Sequence, residues 1–331
     1  MNLGSVTSLG AKLRKWAPKR GWTARVAEAP LLGRDDLTAL HSAATAAGAS
    51  ERARPQSSQP WLGDVSSVYR GRGYEFDENR LYGPGDETRF INWRLYARTG
   101  QLHTKIFHEE HRPEVFVLLD RRSGMRFGTR RQLKVTQGAR IACFHLFHAR
   151  ARAMAAGGLL LQQPPLWLAR AQDDPSLDAL VSEVITPCPP VRQDADTPGL
   201  IDMLRQAQAL LAPGATLILI SDFHDLDIAD AGTIWEVARH YDLRAYRIVD
   251  PAEAQLPRHA DYMLCDSTGD ARVDLADIRE DVLAEYETRF ARHAELCQHV
   301  FAGAGVALRV FSTEDDVIPE LQRAPDGTDA R

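Results

Sequence analysis

Val115-Phe116-Val117-Leu118-Leu119-Asp120 is the stretch from which the fold is read. Five apolar residues in a row, with no polar alternation, specify a strand buried on both faces rather than one with a wet side. The run ends in an acid and leads through Arg121-Arg122-Ser123-Gly124-Met125 to a helical pattern over 131–154. Further along the chain the same alternation recurs. Strands are expected at 157–162 and 166–169 and helices at 177–185 and 198–211, the second with Thr197 as its N-cap. A strand at Thr216–Ser221 ends on Asp222, a helix covers 228–240, a strand 244–249, a long helix 277–301 and a last strand 306–311. Apolar strands alternating with helices predict a doubly wound α/β domain on a mostly parallel sheet over 113–313, followed by a tail at 314–331.

Upstream the composition changes. Residues 61–112 are dense in Gly, Arg, acids and aromatics and read as a small β-rich subdomain. Gly83-Pro84-Gly85-Asp86 marks a turn, while Ile91-Asn92-Trp93 and 103–107 read as short extended pieces. Residues 1–60 read as a basic N-terminal extension, with Lys12, Arg14, Lys15, Lys19, Arg20 and Arg25 all ahead of the first acid, Glu28. They hold one helix, carried by Leu31, Leu32, Leu37 and Leu40 with Asp35 and Asp36 near its start, and then an Ala-, Ser-, Gln- and Pro-rich linker over 43–60.

A length of 331 residues suggests about two domains. The net charge of -5 argues against wholesale nucleic-acid binding, which favours basic domains. Cys143, Cys188, Cys265 and Cys297 are scattered with no C-x-x-C pair, so they read as reduced thiols in a cytoplasmic protein. No apolar run approaches the roughly 18 residues of a membrane span.

Chemistry is expected where strands end. In an open α/β sheet, ligands bind beyond the carboxyl ends of the strands at the topological switch point. Asp120 and Asp222 both follow buried strands, and if those strands are neighbours the carboxylates converge. Mg²⁺ suits one or two carboxylates and several waters, with Thr197 adding a hydroxyl. The alternative is that each acid caps the next helix or pairs with an arginine. A phosphate loop, a nucleophile elbow and a complete G-x-G-x-x-G are all missing. His108-Glu109-Glu110-His111 lacks H-E-x-x-H spacing and reads as a polar loop. Cys143, His145 and His148 share a helix and read as packing residues. Arg70, Arg72, Arg80, Arg89, Arg94 and Arg98 stand among aromatics, a pattern that serves nucleic-acid stacking. Glu75, Asp77, Glu78, Asp86 and Glu87 are interleaved with them and favour a mixed ion-pair surface or a protein socket.

Together, Arg72, Gly73, Glu75, Phe76, Arg80, Tyr82, Gly85, Asp86, Arg89, Trp93 and Arg98 resemble the signature of the domain of unknown function 58 family. The resemblance extends through Leu118-Leu119-Asp120, Met125-Arg126-Phe127-Gly128-Thr129, Ser221-Asp222-Phe223 and Asp250-Pro251-Ala252-Glu253. It implies a von Willebrand factor A-like sheet, no established catalysis, and a MoxR-type AAA+ ATPase as partner in assembling or maturing other proteins. Many family members carry membrane helices ahead of this region, so a chain without them implies a soluble form. Against the D-x-S-x-S run of such domains, Asp120 matches the first acid, while Arg122 and Gly124 fall where the serines belong and Ser123 is one place off. Thr197 matches the threonine and Asp222 the last aspartate. The resemblance therefore implies a degraded Mg²⁺ site at Asp120, Thr197 and Asp222, or one in which Arg122 pairs with an acid and replaces the ion. Asp120, Arg122, Ser123, Thr197 and Asp222 would form the docking face of a non-enzymatic adaptor. The alternatives are a nucleic-acid-binding module and a divalent-metal hydrolase at Asp120 and Asp222.

Overall fold

The computed structural model describes residues 15–18, 29–53, 75–83, 88–108, 114–129, 131–189, 197–256, 262–265 and 272–323. The chain forms two compact units, one of Met1–Ala53 with Pro113–Arg331 and the other of Arg54–Arg112.

The larger unit is α/β. After a short strand β1 (Lys15–Pro18) and helix α1 (Arg34–Ala53), and beyond the smaller unit with its strands β2 (Glu75–Leu81) and β3 (His103–His108), the buried run forms β4 (Glu114–Asp120). Helix α3 (Lys134–Ala151) follows it, numbered after α2 (Trp93–Thr99) of the smaller unit. Then come β5 (Ala155–Leu161), β6 (Leu166–Ala171), α4 (Asp174–Val184), α5 (Leu200–Gln208), β7 (Thr216–Ser221), α6 (Ala231–His240) and β8 (Asp242–Val249). The rest is α7 (Pro251–Ala254), β9 (Tyr262–Cys265), β10 (Arg272–Asp274), α8 (Glu280–Gly303), β11 (Leu308–Ser312) and α9 (Val317–Gln322).

Six strands make the main sheet in the order β11-β8-β7-β4-β5-β6. All neighbours are parallel except β6, which returns antiparallel along β5 with Leu160 opposite Leu166. Alternate strand residues feed two apolar layers. Leu119 and Ile220 face α1, α3, α4 and α9, whereas Leu118 and Leu219 face α5, α6 and α8. This burial on both faces is why β4 is apolar from Val115 to Leu119 and β7 from Leu217 to Ile220. Strands β1, β9 and β10 form a separate antiparallel sheet in the order β1-β9-β10, with Trp16 opposite Leu264.

Four expectations are corrected. Helix α1 runs on through the stretch read as linker as far as Ala53, and Leu40, Ala43 and Ala44 are buried in the α3-side layer. Alanine-rich sequence reads equally as helix when one face is covered. The segment after residue 313 is no loose tail, because α9 buries Val317 and Leu321 in the same layer. Helix α5 starts at Leu200 with Gly199 as N-cap, so Thr197 lies ahead of the helix. In the smaller unit Ile91-Asn92-Trp93 is not a strand. Ile91 makes a single bridge to Thr104, and Asn92 caps α2 by accepting from the Leu95 N–H at 3.2 Å. Gly100 closes that helix at φ 70, a left-handed position that costs glycine nothing. Beside α2 the described part of the unit is the β2–β3 hairpin. The Pro84–Asp86 part of the expected turn lies outside the described residues.

Gly138 lets α3 lie close on the sheet. A Cβ there would stand 2.8 Å from Leu119 Cδ1 and 3.2 Å from Ile220 Cγ2. Gly138→Val is expected to lower the unfolding free energy by about 1–3 kcal/mol, the usual cost of overpacking. Urea denaturation checks this; an unchanged midpoint would show that α3 yields freely.

Candidate functional site

Strands β4 and β7 are neighbours, and the chain order reverses between them: β5 and β6 lie on one side, β8 and β11 on the other. This is the switch point where such sheets hold ligands. The pairing of Leu119 with Ile220 puts Asp120 level with Ser221, and the Ser221 hydroxyl donates to Asp120 Oδ2 at 2.7 Å. Asp222 comes one residue later. Since successive strand side chains point to opposite faces, the two acids diverge.

Asp120 turns toward the α5 side, where both its oxygens are saturated. Oδ1 accepts from the backbone N–H of Arg122 at 2.9 Å and from its Nε at 3.0 Å, and Oδ2 accepts from its Nη2 at 2.7 Å. The same guanidinium reaches Asp225, with Nη2 on Oδ1 at 2.9 Å and Nη1 on Oδ2. Asp225 Oδ2 also accepts the Leu200 N–H, giving α5 its cap from a distant loop. Burial pushes the Asp225 carboxyl up, but the hydrogen bond and charge of Arg122 outweigh it and hold it below the ordinary range.

Asp222 turns toward α3. Its Oδ2 accepts from Lys134 Nζ at 2.9 Å, and that ammonium also donates to Glu253 Oε1 at 2.6 Å. Lys134 is 1% exposed and begins α3. Burial disfavours its charge, yet Asp222 and Glu253 hold it protonated, with its pKa raised. Burial likewise pushes Asp222 up, but Lys134 and His224 dominate and hold it well below the usual carboxylate range. Glu253 is raised by burial, only partly offset by Lys134. Its other oxygen accepts the Asp250 N–H at 3.0 Å. Asp250 in turn ties three segments together, accepting from Thr129 Oγ1, Ala252 N and Thr313 Oγ1.

Directly after Asp222 the chain turns sharply at Phe223, whose φ of 56 is left-handed for a bulky residue. Such a conformation costs on the order of 1–3 kcal/mol. It is held by the fully buried ring, edge-on to Phe301 at 5.0 Å, and by the Phe223 N–H donating to Ser221 Oγ at 3.0 Å.

Of the expected docking residues, Asp120, Arg122, Ser123 and Asp222 are 0%, 6%, 3% and 8% exposed. They shape the strand-end loops from beneath and present no surface themselves. The Thr197 hydroxyl is shielded and makes no hydrogen bond among the described residues. Lys134, Asp225 and Glu253 were missed in the sequence, where each sits in an ordinary charged context. Asp250-Pro251-Ala252-Glu253 carried the one signal available, an acid-Pro-x-acid capping pattern that the structure realises as a capping box.

The remaining candidates separate clearly. His145 is buried, with Nε2 on the Tyr246 hydroxyl at 2.8 Å, and His148 pairs with Glu51, so both pack, as does buried Cys143. Glu75, Phe76 and Arg80 lie on β2 and Tyr82 just beyond it. Arg89 covers the Phe90 ring, Trp93 is 61% exposed and edge-on to Tyr96, and Arg98 is in the last turn of α2. Arg70, Arg72, Gly73, Gly85, Asp86 and the 109–111 part of the His-Glu-Glu-His run lie outside the described residues.

A family model described as "Protein of unknown function DUF58" matches residues 78–296, more than half of the chain. The chain belongs to the DUF58 family. Its relatives include "Uncharacterized protein Mb1516" of Mycobacterium bovis and "Uncharacterized protein Rv1480" of Mycobacterium tuberculosis. Each is 26% identical over 269 residues, covering 79% of this DUF58 chain and 81% of the relative. The solved BatB from Bacteroides thetaiotaomicron is 14% identical and covers 63% of this chain and 95% of its own, at a TM-score of 0.41, too low to support an argument. Among the described residues no helix is long and apolar enough to cross a membrane.

The residues expected to hold Mg²⁺ do not fit the ion. Asp120 has spent its oxygens on Arg122 and Ser221, and Asp222 faces Lys134 on the other side of the sheet. At Gly124, where a second serine would supply a hydroxyl, a Cβ would stand 2.6 Å from Asp222 Oδ2. Among the described residues no group of three or more His, Cys, Asp or Glu is placed to share an ion.

Arg122→Ala leaves Asp120 buried without a counter-charge and is expected to cost about 3–5 kcal/mol in urea denaturation. Arg122→Lys should recover only part of this, because an ammonium cannot fork to two carboxylates. Loss of less than about 1 kcal/mol in the alanine variant would contradict the bridging role. Burial lowers the His224 pKa, but Asp222, 3.1 Å away, outweighs it and raises the value above 6.5. The pair therefore stabilises fully below pH 6.5, and the contribution is lost as pH rises through the folded-state value. An NMR titration placing His224 at or below 6.5 would refute this.

Proposed function

We propose that this DUF58 chain is a non-enzymatic protein-interaction adaptor with a von Willebrand factor A-like domain, acting in the cytoplasm with a MoxR-type AAA+ ATPase in the assembly or maturation of other proteins. The observation that carries the reading is the Arg122 guanidinium between Asp120 and Asp225, standing where a metal-dependent adhesion site would offer a hydroxyl and an ion. The domain then engages its partner without Mg²⁺. The buried ion pairs fix the loop after β7, and its outer rim, including half-exposed Ile228 and the accessible edge of His224, meets the partner. The ATPase as partner rests on the family resemblance. The cytoplasm is supported by the free, buried thiols of Cys143, Cys188 and Cys297.

The test is capture of a MoxR-type ATPase, purified from the same cells, on the immobilised chain, with Mg²⁺ or with EDTA and with nucleotide absent. Equal retention in both is the expected result, together with a thermal midpoint that Mg²⁺ leaves unchanged. Retention only with Mg²⁺ would restore the ion to the site and overturn the reading. Salt-sensitive binding of RNA or DNA with no ATPase retained would favour a nucleic-acid module. Mg²⁺-dependent hydrolysis that disappears in Asp222→Ala would make the chain an enzyme.

A further inference from the structure

A cavity of about 500 Å³ opens beyond the carboxyl ends of β7 and β8, under α8, within the larger unit. Its size is that of a small-molecule site, for which roughly 300–1,000 Å³ is usual. Phe127, Ile248, Val249, Val282 and Phe290 give it an apolar wall.

Arg247 sets this cavity apart. It projects from β8 into the cavity and is only 5% exposed. Its Nε is shielded and makes no hydrogen bond, and no ion pair reaches the guanidinium among the described residues. Its one contact of note is with the Phe290 ring, 5.5 Å from the centroid. The other buried cations of the unit are matched. Arg122 has Asp120 and Asp225, Lys134 has Asp222 and Glu253, and Arg121 donates to Thr186 and the Pro187 carbonyl. The acids around the cavity are also engaged, Asp222 and Glu253 by Lys134 and Glu285 by Arg289 at 2.6 Å. A guanidinium withdrawn from water without a partner is costly and is tolerated where an anion completes it.

We propose that this cavity binds an organic carboxylate, one carboxyl group on an apolar body, with Arg247 forking to the carboxylate and the body lying along Phe290 and Val282. A planar guanidinium matches a carboxylate bidentately. A dianionic phosphate is disfavoured, since the other cations of the wall are already held, Lys134 by Asp222 and Glu253, Arg279 by Asp281 and Arg289 by Glu285, which leaves Arg247 as the single unmatched charge to meet it. The ligand is either a free acid or the carboxyl terminus of a polypeptide. The cavity shares His224 with the loop rim of the adaptor reading, but binding of small probes by the chain alone reads the cavity whether or not that rim meets a partner.

The test is ligand-observed NMR on the full chain with matched probes at about 1 mM, the weak end of specific binding. The probes are 4-phenylbutyrate against 4-phenylbutanamide, and N-acetyl-Ala-Phe as free acid against its amide. Binding by an acid at least tenfold tighter than by its amide is expected; phenylbutyrate alone assigns a free acid, the dipeptide acid alone a chain terminus. Arg247→Met should abolish binding and, with no ligand present, raise the urea midpoint, because it removes an unmatched buried charge. A residue serving only packing would lower that midpoint. Val282→Trp, which fills the cavity and leaves Arg247 intact, should also abolish binding. Silence of all probes, equal binding of acid and amide, a lowered Arg247→Met midpoint, or binding that survives both substitutions overturns the proposal.

Discussion

The parallel register of β4 and β7 governs the centre of this molecule. Leu119 faces Ile220, so Asp120 meets Ser221 and Asp222 is carried past the sheet edge to the opposite face. Two acids that would crowd one ion had they been level are instead each given a cation of their own. Arg122 serves the α5 side and Lys134 the α3 side. The loops after β4, β7 and β8 are then tied to these pairs: Asp225 and the start of α5 through Arg122, and Glu253 with the Asp250 capping box through Lys134.

A metal site couples shape to ion concentration, whereas a buried ion pair is present whenever the chain is folded. His224 at this site is partly open to solvent, and Asp222 raises its pKa against the opposing effect of burial. Next to this network lies the cavity with Arg247, a cation without a carboxylate partner among the described residues. The contrast between the matched cations Arg122 and Lys134 and the unmatched Arg247 separates the part of the domain that holds shape from the part open to a ligand.

Much of the larger unit was legible in the chain. β7 falls on the residues expected for it, and β4 is buried at every position from Glu114 to Asp120. Uniform apolarity over strand length leaves little choice of structure. The misreadings share a cause. Residues 43–53 are small and weakly polar, and only the α3 face that covers Leu40, Ala43 and Ala44 makes them helix rather than linker. Thr197 has the composition of an N-cap, but Asp225, brought from 25 positions away, caps α5 and displaces the start to Leu200. Asn92 and Gly100 cap the two ends of α2, although Ile91 and Trp93 on either side of Asn92 favour a strand.

For the candidate site, sequence alone determined that acids stand at the ends of two buried strands, a property of local pattern and spacing. The family resemblance added that Arg122 and Gly124 fall where a metal site would place hydroxyls. Which acid Arg122 would choose, that Lys134 would neutralise the other, that Asp225 and Glu253 would complete the pairs, and that Arg247 would be left facing a cavity were decided by the tertiary structure alone. Each depends on strand register and on residues about 90 to 120 positions apart meeting across a sheet. A one-residue shift of register reverses every such face without altering the sequence pattern at all.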